Sequence, residues 1–234
     1  MEVTPALLSV FPLLKPLPPS SLAHLLTCSH VKKFSRREVV LDPRSNDNSI
    51  CLVFQGKLQA IDFTLDGKEV GLYFVEPKDF CGEILLFDEL AGTELIIALT
   101  PSVVVKIPDT EIRKLMREAP SVMNEVGKKL AARIKQLTSQ RALLAISNVQ
   151  QRVCCQIWML CVEASGEKVT LFGHEAEILN PPTHLEIANM LSVSRESVTR
   201  VFQTLQNRQI VRRNGPNSLI ISAPNKLREL AEGA

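Results

Sequence analysis

Residues 183–207 read THLEIANMLSVSRESVTRVFQTLQN. Their apolar spacing predicts two short helices that cross at a turn, a helix-turn-helix. Ile187, Ala188 and Leu191 face the core from the first helix, with the small Ala188 where the helices come closest. Val198, Val201, Phe202 and Leu205 do so from the second. Ser192-Val193 makes the turn, where the common pattern has Gly; a left-handed serine costs roughly 1 kcal/mol. Ser194 is a good N-cap for the second helix. Arg195, Glu196, Thr199 and Arg200 lie away from the apolar face, on the turns that enter the major groove in this motif. There an arginine offers two donors to guanine O6 and N7, and a glutamate accepts from cytosine N4. The quartet suits a G·C-containing half-site. A helical hairpin with a merely solvated face would carry similar residues, so the following stretch matters.

Two short β-type runs follow, QIVRR at 209–213 and SLII at 218–221, joined by Asn214-Gly215-Pro216-Asn217. They read as the hairpin of a winged helix-turn-helix, with Arg212 and Arg213 directed at phosphates, which position a protein without reading sequence. From LEIA at 185–188 through SRESVTR at 194–200 the chain resembles the DNA-binding domain of the CRP/FNR family of bacterial transcription regulators. Ser194-Arg195-Glu196, then Val198 and Arg200, is similar to the cyclic AMP receptor protein branch. The resemblance implies that Arg195, Glu196 and Arg200 read bases. Thr199 departs from it: that branch usually has Gly here and the FNR branch has Ser.

Composition fits a globular regulator. The 234 residues are 45% hydrophobic and 22% charged, with net charge +2. Residues 181–234 hold seven Lys/Arg against four Asp/Glu, while the other 180 hold twenty against twenty-one. A mildly basic end beside a neutral remainder suits a DNA-binding part and a sensing part. No apolar run reaches the roughly 18 residues of a membrane span. Residues 3–17 are apolar but broken by Pro5, Pro12 and Pro16, without a basic leader, so a cytoplasmic protein with no membrane partner is expected. Cysteines 28, 51, 81, 154, 155 and 161 form no C-x-x-C pair and have no His partner at zinc spacing, so buried or idle thiols and no metal site are expected. No Ser/His/Asp set or phosphate loop suggests an enzyme.

Residues 1–29 read as one or two short helices. Seven candidate strands follow at 31–34, 39–41, 50–54, 57–63, 69–75, 95–99 and 103–107, with turns at Gln55-Gly56, Asp66-Gly67 and Pro77-Lys78-Asp79. Many short strands at regular spacing predict a β-sandwich or barrel. LVFQG at 52–56, LDGK at 65–68 and DFCGE at 79–83 resemble the jelly-roll cyclic-nucleotide-binding domain of the same family. The resemblance implies an effector pocket opened by Gly82 and Glu83, the Glu holding the ribose hydroxyl, followed by an Arg-Ser or Arg-Thr pair on the cyclic phosphate. Here that stretch reads LAGTEL at 90–95, and no Arg occurs from Cys81 to Val105. Thr93 cannot replace the permanent charge and bidentate fork of an arginine, and Glu94 would repel a phosphate. Cyclic AMP binding in the usual way is therefore not expected; the cofactor is unknown. A modified nucleotide, or haem held through Cys81, is the alternative, since one branch of the family senses gases through haem.

Residues 111–147 form a long helical pattern interrupted at Pro120. Met123, Leu130, Leu137 and Leu144 recur every seven residues with Ile134 between, a heptad seam flanked by Lys128, Lys129, Arg133, Lys135 and Arg141. A parallel homodimer is expected. In the family this helix carries a Thr-Ser pair that touches the nucleotide; Thr138-Ser139 or Leu137-Thr138 is the nearest match. Ser147-Asn148 caps the next helix, 149–164, and the hinge is expected near 146–148. A β-type hairpin at 165–179, turning at Gly173-His174, leads into the reading helices, and His174 and His184 look like surface residues. The expectation is an α+β chain: a jelly-roll cyclic-nucleotide-binding-like domain (1–110), a dimerisation helix with hinge (111–147) and a winged helix-turn-helix (148–234). Such a chain would bind double-stranded palindromic DNA as a homodimer, with RNA polymerase as a partner if it activates.

Overall fold

The computed structural model describes residues 4–42, 44–45, 47–88, 94–165, 175–215 and 217–233. They form two compact units, Met1–Leu137 and Thr138–Ala234. The division falls inside a long helix.

The N-terminal unit opens with helices α1 (Pro5–Leu8) and α2 (Pro19–Cys28). Eight strands follow: β1 (His30–Phe34), β2 (Val39–Leu41), β3 (Ser49–Gln55), β4 (Leu58–Phe63), β5 (Glu69–Val75), β6 (Phe80–Cys81), β7 (Leu95–Ala98) and β8 (Ser102–Pro108). They make two antiparallel sheets, ordered β1-β8-β3-β6 and β2-β7-β4-β5. The seven strands expected from the sequence are present within a residue or two. The two-residue β6 was not expected, because a run that short has no period.

Side chains alternate across a strand, and β3 and β8 use both faces. Cys51, Val53 and Val104 enter the core between the sheets with Phe34, Tyr73, Cys81 and Ile96. Ile50, Leu52, Val105 and Ile107 enter a second core with Leu8, Leu14, Leu22 and Leu25 of the N-terminal segment and Ile112, Leu115, Val122 and Val126 beyond β8. That second core is why the Pro-broken apolar stretch at 3–17 is apolar: Leu8, Phe11, Leu13 and Leu14 are fully buried. Gly56 turns β3 into β4 at φ +89, where a Cβ would lie 2.2 Å from Ser102 Oγ.

Helix α3 (Asp109–Glu118) leads to α4 (Pro120–Leu144), the Pro120 break expected from the sequence. The seam positions Met123, Ile134, Leu137 and Leu144 are 43%, 67%, 42% and 39% exposed. Leu130 is half-buried against the second core.

The C-terminal unit contains α5 (Val149–Ser165), β9 (Ala176–Leu179), α6 (His184–Leu191), α7 (Arg195–Asn207), β10 (Val211–Arg213), β11 (Ser218–Ile221) and α8 (Pro224–Glu232). Asn148 caps α5, its Oδ1 accepting from Gln151 N at 3.2 Å, and Val153, Ile157, Leu160 and Cys161 are buried as expected. The sheet runs β10-β11-β9; the turn expected at Gly173-His174 lies outside the described residues. Helix α8 was not anticipated, although Pro224, Leu227 and Ala231 mark its start and buried face. The last turns of α4 belong to this unit, where Gln140 Nε2 donates to Met190 O at 3.1 Å.

Candidate nucleic-acid interface and effector pocket

Helix α6 starts with a capping box: Thr183 Oγ1 accepts from Glu186 N at 3.3 Å, and Glu186 Oε2 accepts from Thr183 N at 2.9 Å. It ends on Ser192 at φ 52, ψ 44, the left-handed turn residue expected there. Ser194 caps α7 by accepting from Ser197 N at 3.2 Å. Its N-cap position puts its hydroxyl at the helix start, not on the reading face. Ile187, Ala188, Leu191, Val198, Val201, Phe202 and Leu205 are all buried between and beneath the helices. Arg195, Glu196 and Arg200 are left exposed on the first turns of α7.

Thr199 is held more tightly than its neighbours. Its hydroxyl donates to Arg195 O at 2.9 Å and lies 3.0 Å from His184 Nδ1. This pairing is complete when Nδ1 carries the imidazole proton. His184 is therefore not a surface residue. It is half-buried and stacked on Phe202, ring centroids 4.5 Å apart. Burial, then Arg213 and Arg195, hold its pKa below the ordinary 6.5. A histidine depressed on folding binds protons more readily in the unfolded chain, so stability is full above pH 6.5 and falls as pH drops through that value. His184→Gln is expected to flatten the acid limb of the melting temperature of the C-terminal unit, followed by circular dichroism from about pH 7.5 to pH 5.5.

In the wing, Val211 is buried and pairs with Ile221, while Arg212 and Arg213 are exposed. Successive strand residues point to opposite faces, so the two arginines do not act together. Arg212 reaches Glu175 Oε1 at 3.1 Å, whereas Arg213 bears on His184.

In the N-terminal unit, Gly82 has φ +91, and a Cβ there would lie 2.8 Å from Ser49 O. That conformation starts the short 3-10 helix Glu83–Leu86 and turns Glu83 fully inward. Glu83 Oε1 accepts from Arg133 Nε at 2.9 Å. Arg133 also donates from Nη1 to Phe74 O at 3.2 Å and lies over the Tyr73 ring at 3.6 Å. Burial works against its charge, but Glu83 and then Tyr73 more than offset this and raise its pKa. The Tyr73 hydroxyl donates to Glu94 Oε1 at 2.6 Å. Burial, then Glu83, pushes the Glu94 carboxyl up, although the Tyr73 hydrogen bond opposes this. Glu83 Oε2 and Arg133 Nη2 are buried with no hydrogen-bond partner among the described residues.

Arg133, placed on the flank of the seam by the sequence reading, is thus the cation of this site. The signal was available: Val122, Val126, Lys129 and Arg133 recur at four, three and four residues, a second helix face turned to the sheets. Lys129 on that face pairs with Asp79. Of the other pocket residues, Thr93 lies outside the described residues, and Thr138 is exposed on α4 and stands in the C-terminal unit. Cys81 is buried between the sheets, and its Sγ–H donates to Cys51 O at 3.8 Å. Its interaction with the Cys51 side chain, then burial, raises its pKa well above 9.0, so in this structure it is a packed thiol.

Comparison with known proteins agrees with this geometry. Residues 31–119 match the cyclic nucleotide-binding domain and residues 151–230 the Crp-like helix-turn-helix domain. The cAMP-activated global transcriptional regulator CRP of Pasteurella multocida is 23% identical over 201 residues, covering 86% of this chain and 94% of that protein. The CRP-like cAMP-activated global transcriptional regulator of Mycobacterium tuberculosis is 24% identical over 202 residues, covering 86% and 88%. Among solved structures, FixK2 from Bradyrhizobium japonicum superposes with a TM-score of 0.73 at 15% identity, covering 88% of this chain and 98% of that one. The chain belongs to the CRP/FNR family. It is a DNA-binding transcription regulator of that type and not an enzyme. Among the described residues no helix is long and apolar enough to cross a membrane.

Proposed function

We propose that the protein regulates transcription as a homodimer on a palindromic operator, and that cyclic AMP does not control it in the usual way. Arg195, Glu196 and Arg200 read base edges, and Arg213 holds phosphate from the wing. Dimerisation through the exposed stripe Met123, Ile134, Leu137 and Leu144, with the half-buried Leu130 among them, would set two copies of α7 about 34 Å apart, one turn of DNA. The relatives named above are cAMP-activated by name; in this chain no Arg occurs from Cys81 to Val105. The observation that carries the proposal is the buried network itself. Glu83 holds the guanidinium of Arg133, and a second carboxyl group, Glu94, lies near enough to feel both while hydrogen-bonded to Tyr73. A cyclic phosphate would meet a guanidinium already paired with Glu83.

The unpartnered Glu83 Oε2 and Arg133 Nη2 favour a second reading, in which another small effector offers one donor and one acceptor to them. Such a ligand would shift the protein between two dimer arrangements in proportion to its preference for one of them. The test is binding of the purified protein to a palindromic operator with and without cyclic AMP and cyclic di-GMP. Affinity is expected to stay within about twofold, less than 0.5 kcal/mol. Specific binding that appears only with cyclic AMP would overturn the pocket argument and assign the phosphate to Arg133.

A further inference from the structure

Within the N-terminal unit, α2 and α3 bring three donor side chains of different chemistry together. His24 and Cys28 are four apart on α2 and so share one face; Glu111 stands in the first turn of α3. His24 Nε2 lies 2.9 Å from Glu111 Oε2. The imidazole nitrogen, the Cys28 sulfur and a Glu111 oxygen all fall within 4.8 Å of one another. We propose that His24, Cys28 and Glu111 bind a borderline divalent cation, zinc(II) in the first place, with a fourth position left open.

The donor set selects the ion. Imidazole, thiolate and carboxylate are all zinc ligands, and a mixed set excludes magnesium and calcium, which take oxygen. Zinc bonds of about 2.0 Å to N and O and about 2.3 Å to S place tetrahedral ligand atoms roughly 3.3–3.6 Å apart. The donors need only small side-chain rotations to reach that spacing, with the His24–Glu111 hydrogen bond exchanged for two metal bonds.

The scaffold beneath is fixed. Leu22 and Leu25 of α2 and Ile112 and Leu115 of α3 are buried in one core, so the helices carry their donors on a common base. Three protein ligands with one open position is the pattern of exchangeable or reactive zinc, whereas closed structural sites use four. The open side has room: a cleft of about 240 Å³ borders His24 and Glu111 and is lined also by Ser20, Ser21, Lys114 and Glu118. With thiolate and carboxylate bound, the ion's two charges are balanced at the site.

The sequence reading missed the trio for two reasons. The four-residue step from His24 to Cys28 passes for ordinary helix spacing, and Glu111 lies 87 residues from His24. The test is titration of the EDTA-stripped full-length protein with cobalt(II). One equivalent is expected to give a thiolate-to-cobalt charge-transfer band and the visible bands of a four-coordinate ion, both lost when zinc(II) is added. Cys28→Ser should abolish the charge-transfer band. His24→Ala and Glu111→Gln should each weaken cobalt binding by at least about tenfold to a hundredfold, the range seen when only an outer-shell partner is removed. Cys155→Ser, which removes a half-buried thiol elsewhere, should leave the bands intact. Circular dichroism and operator binding of each variant report folding separately. Absence of both bands, or bands that persist in Cys28→Ser, would overturn the site.

Discussion

Arg133→Met is expected to lower the unfolding free energy of the N-terminal unit by about 3–5 kcal/mol, because it strands a buried carboxylate. Glu83 is fully buried and its only hydrogen bond among the described residues comes from Arg133. Removing the guanidinium also removes the cation stacked 3.6 Å over Tyr73 and the donor to Phe74 O. The double variant Glu83→Gln with Arg133→Met should recover most of the loss, since a neutral amide in an apolar site costs far less than an unpaired charge. Urea denaturation of the three proteins measures this. A single variant within about 1 kcal/mol of the parent would mean that Glu83 is satisfied without Arg133, and the charge argument for the pocket would go with it.

The second large effect is on DNA. Arg195→Ala should cost about 1–3 kcal/mol per half-site on the operator and much less on random duplex, as expected for a bidentate contact to guanine. Arg213→Ala should weaken both duplexes alike and reduce the slope of log affinity against log salt by about one. Arg212→Ala should do neither to a comparable degree, since its guanidinium is engaged with Glu175 on the other face of the wing. Fluorescence anisotropy on operator and scrambled DNA across a salt series separates the three. Equal losses for Arg195→Ala on both duplexes would remove α7 from the base-reading role.

The reading helices were legible because their logic is local. Ile187, Leu191, Val198, Val201 and Leu205 declare two helix faces within one short stretch, and Ser194 declares where the second begins. The strands were legible for the same reason, each carrying its own period. What stayed hidden was non-local. Glu83 and Arg133 are 50 residues apart, and Arg133 lies on a helix whose heptad seam drew the eye to its other face. His184 escaped because a histidine at a helix start has no sequence signature; only the fold seats it on Phe202. That Arg212 and Arg213 point to opposite faces follows from strand alternation, which neighbouring letters conceal.

The two-faced strands β3 and β8 have a consequence for how the N-terminal unit comes apart. Ile50, Leu52, Val105 and Ile107 serve the helical core, while Cys51, Val53 and Val104 serve the core between the sheets. A one-residue slip in either strand would exchange the two sets at once. The helical layer and the sandwich therefore have a wall in common, and neither melts while the other keeps its register. Amide hydrogens in β3 and β8 should exchange last and together, through a single global opening that takes the N-terminal helices with it.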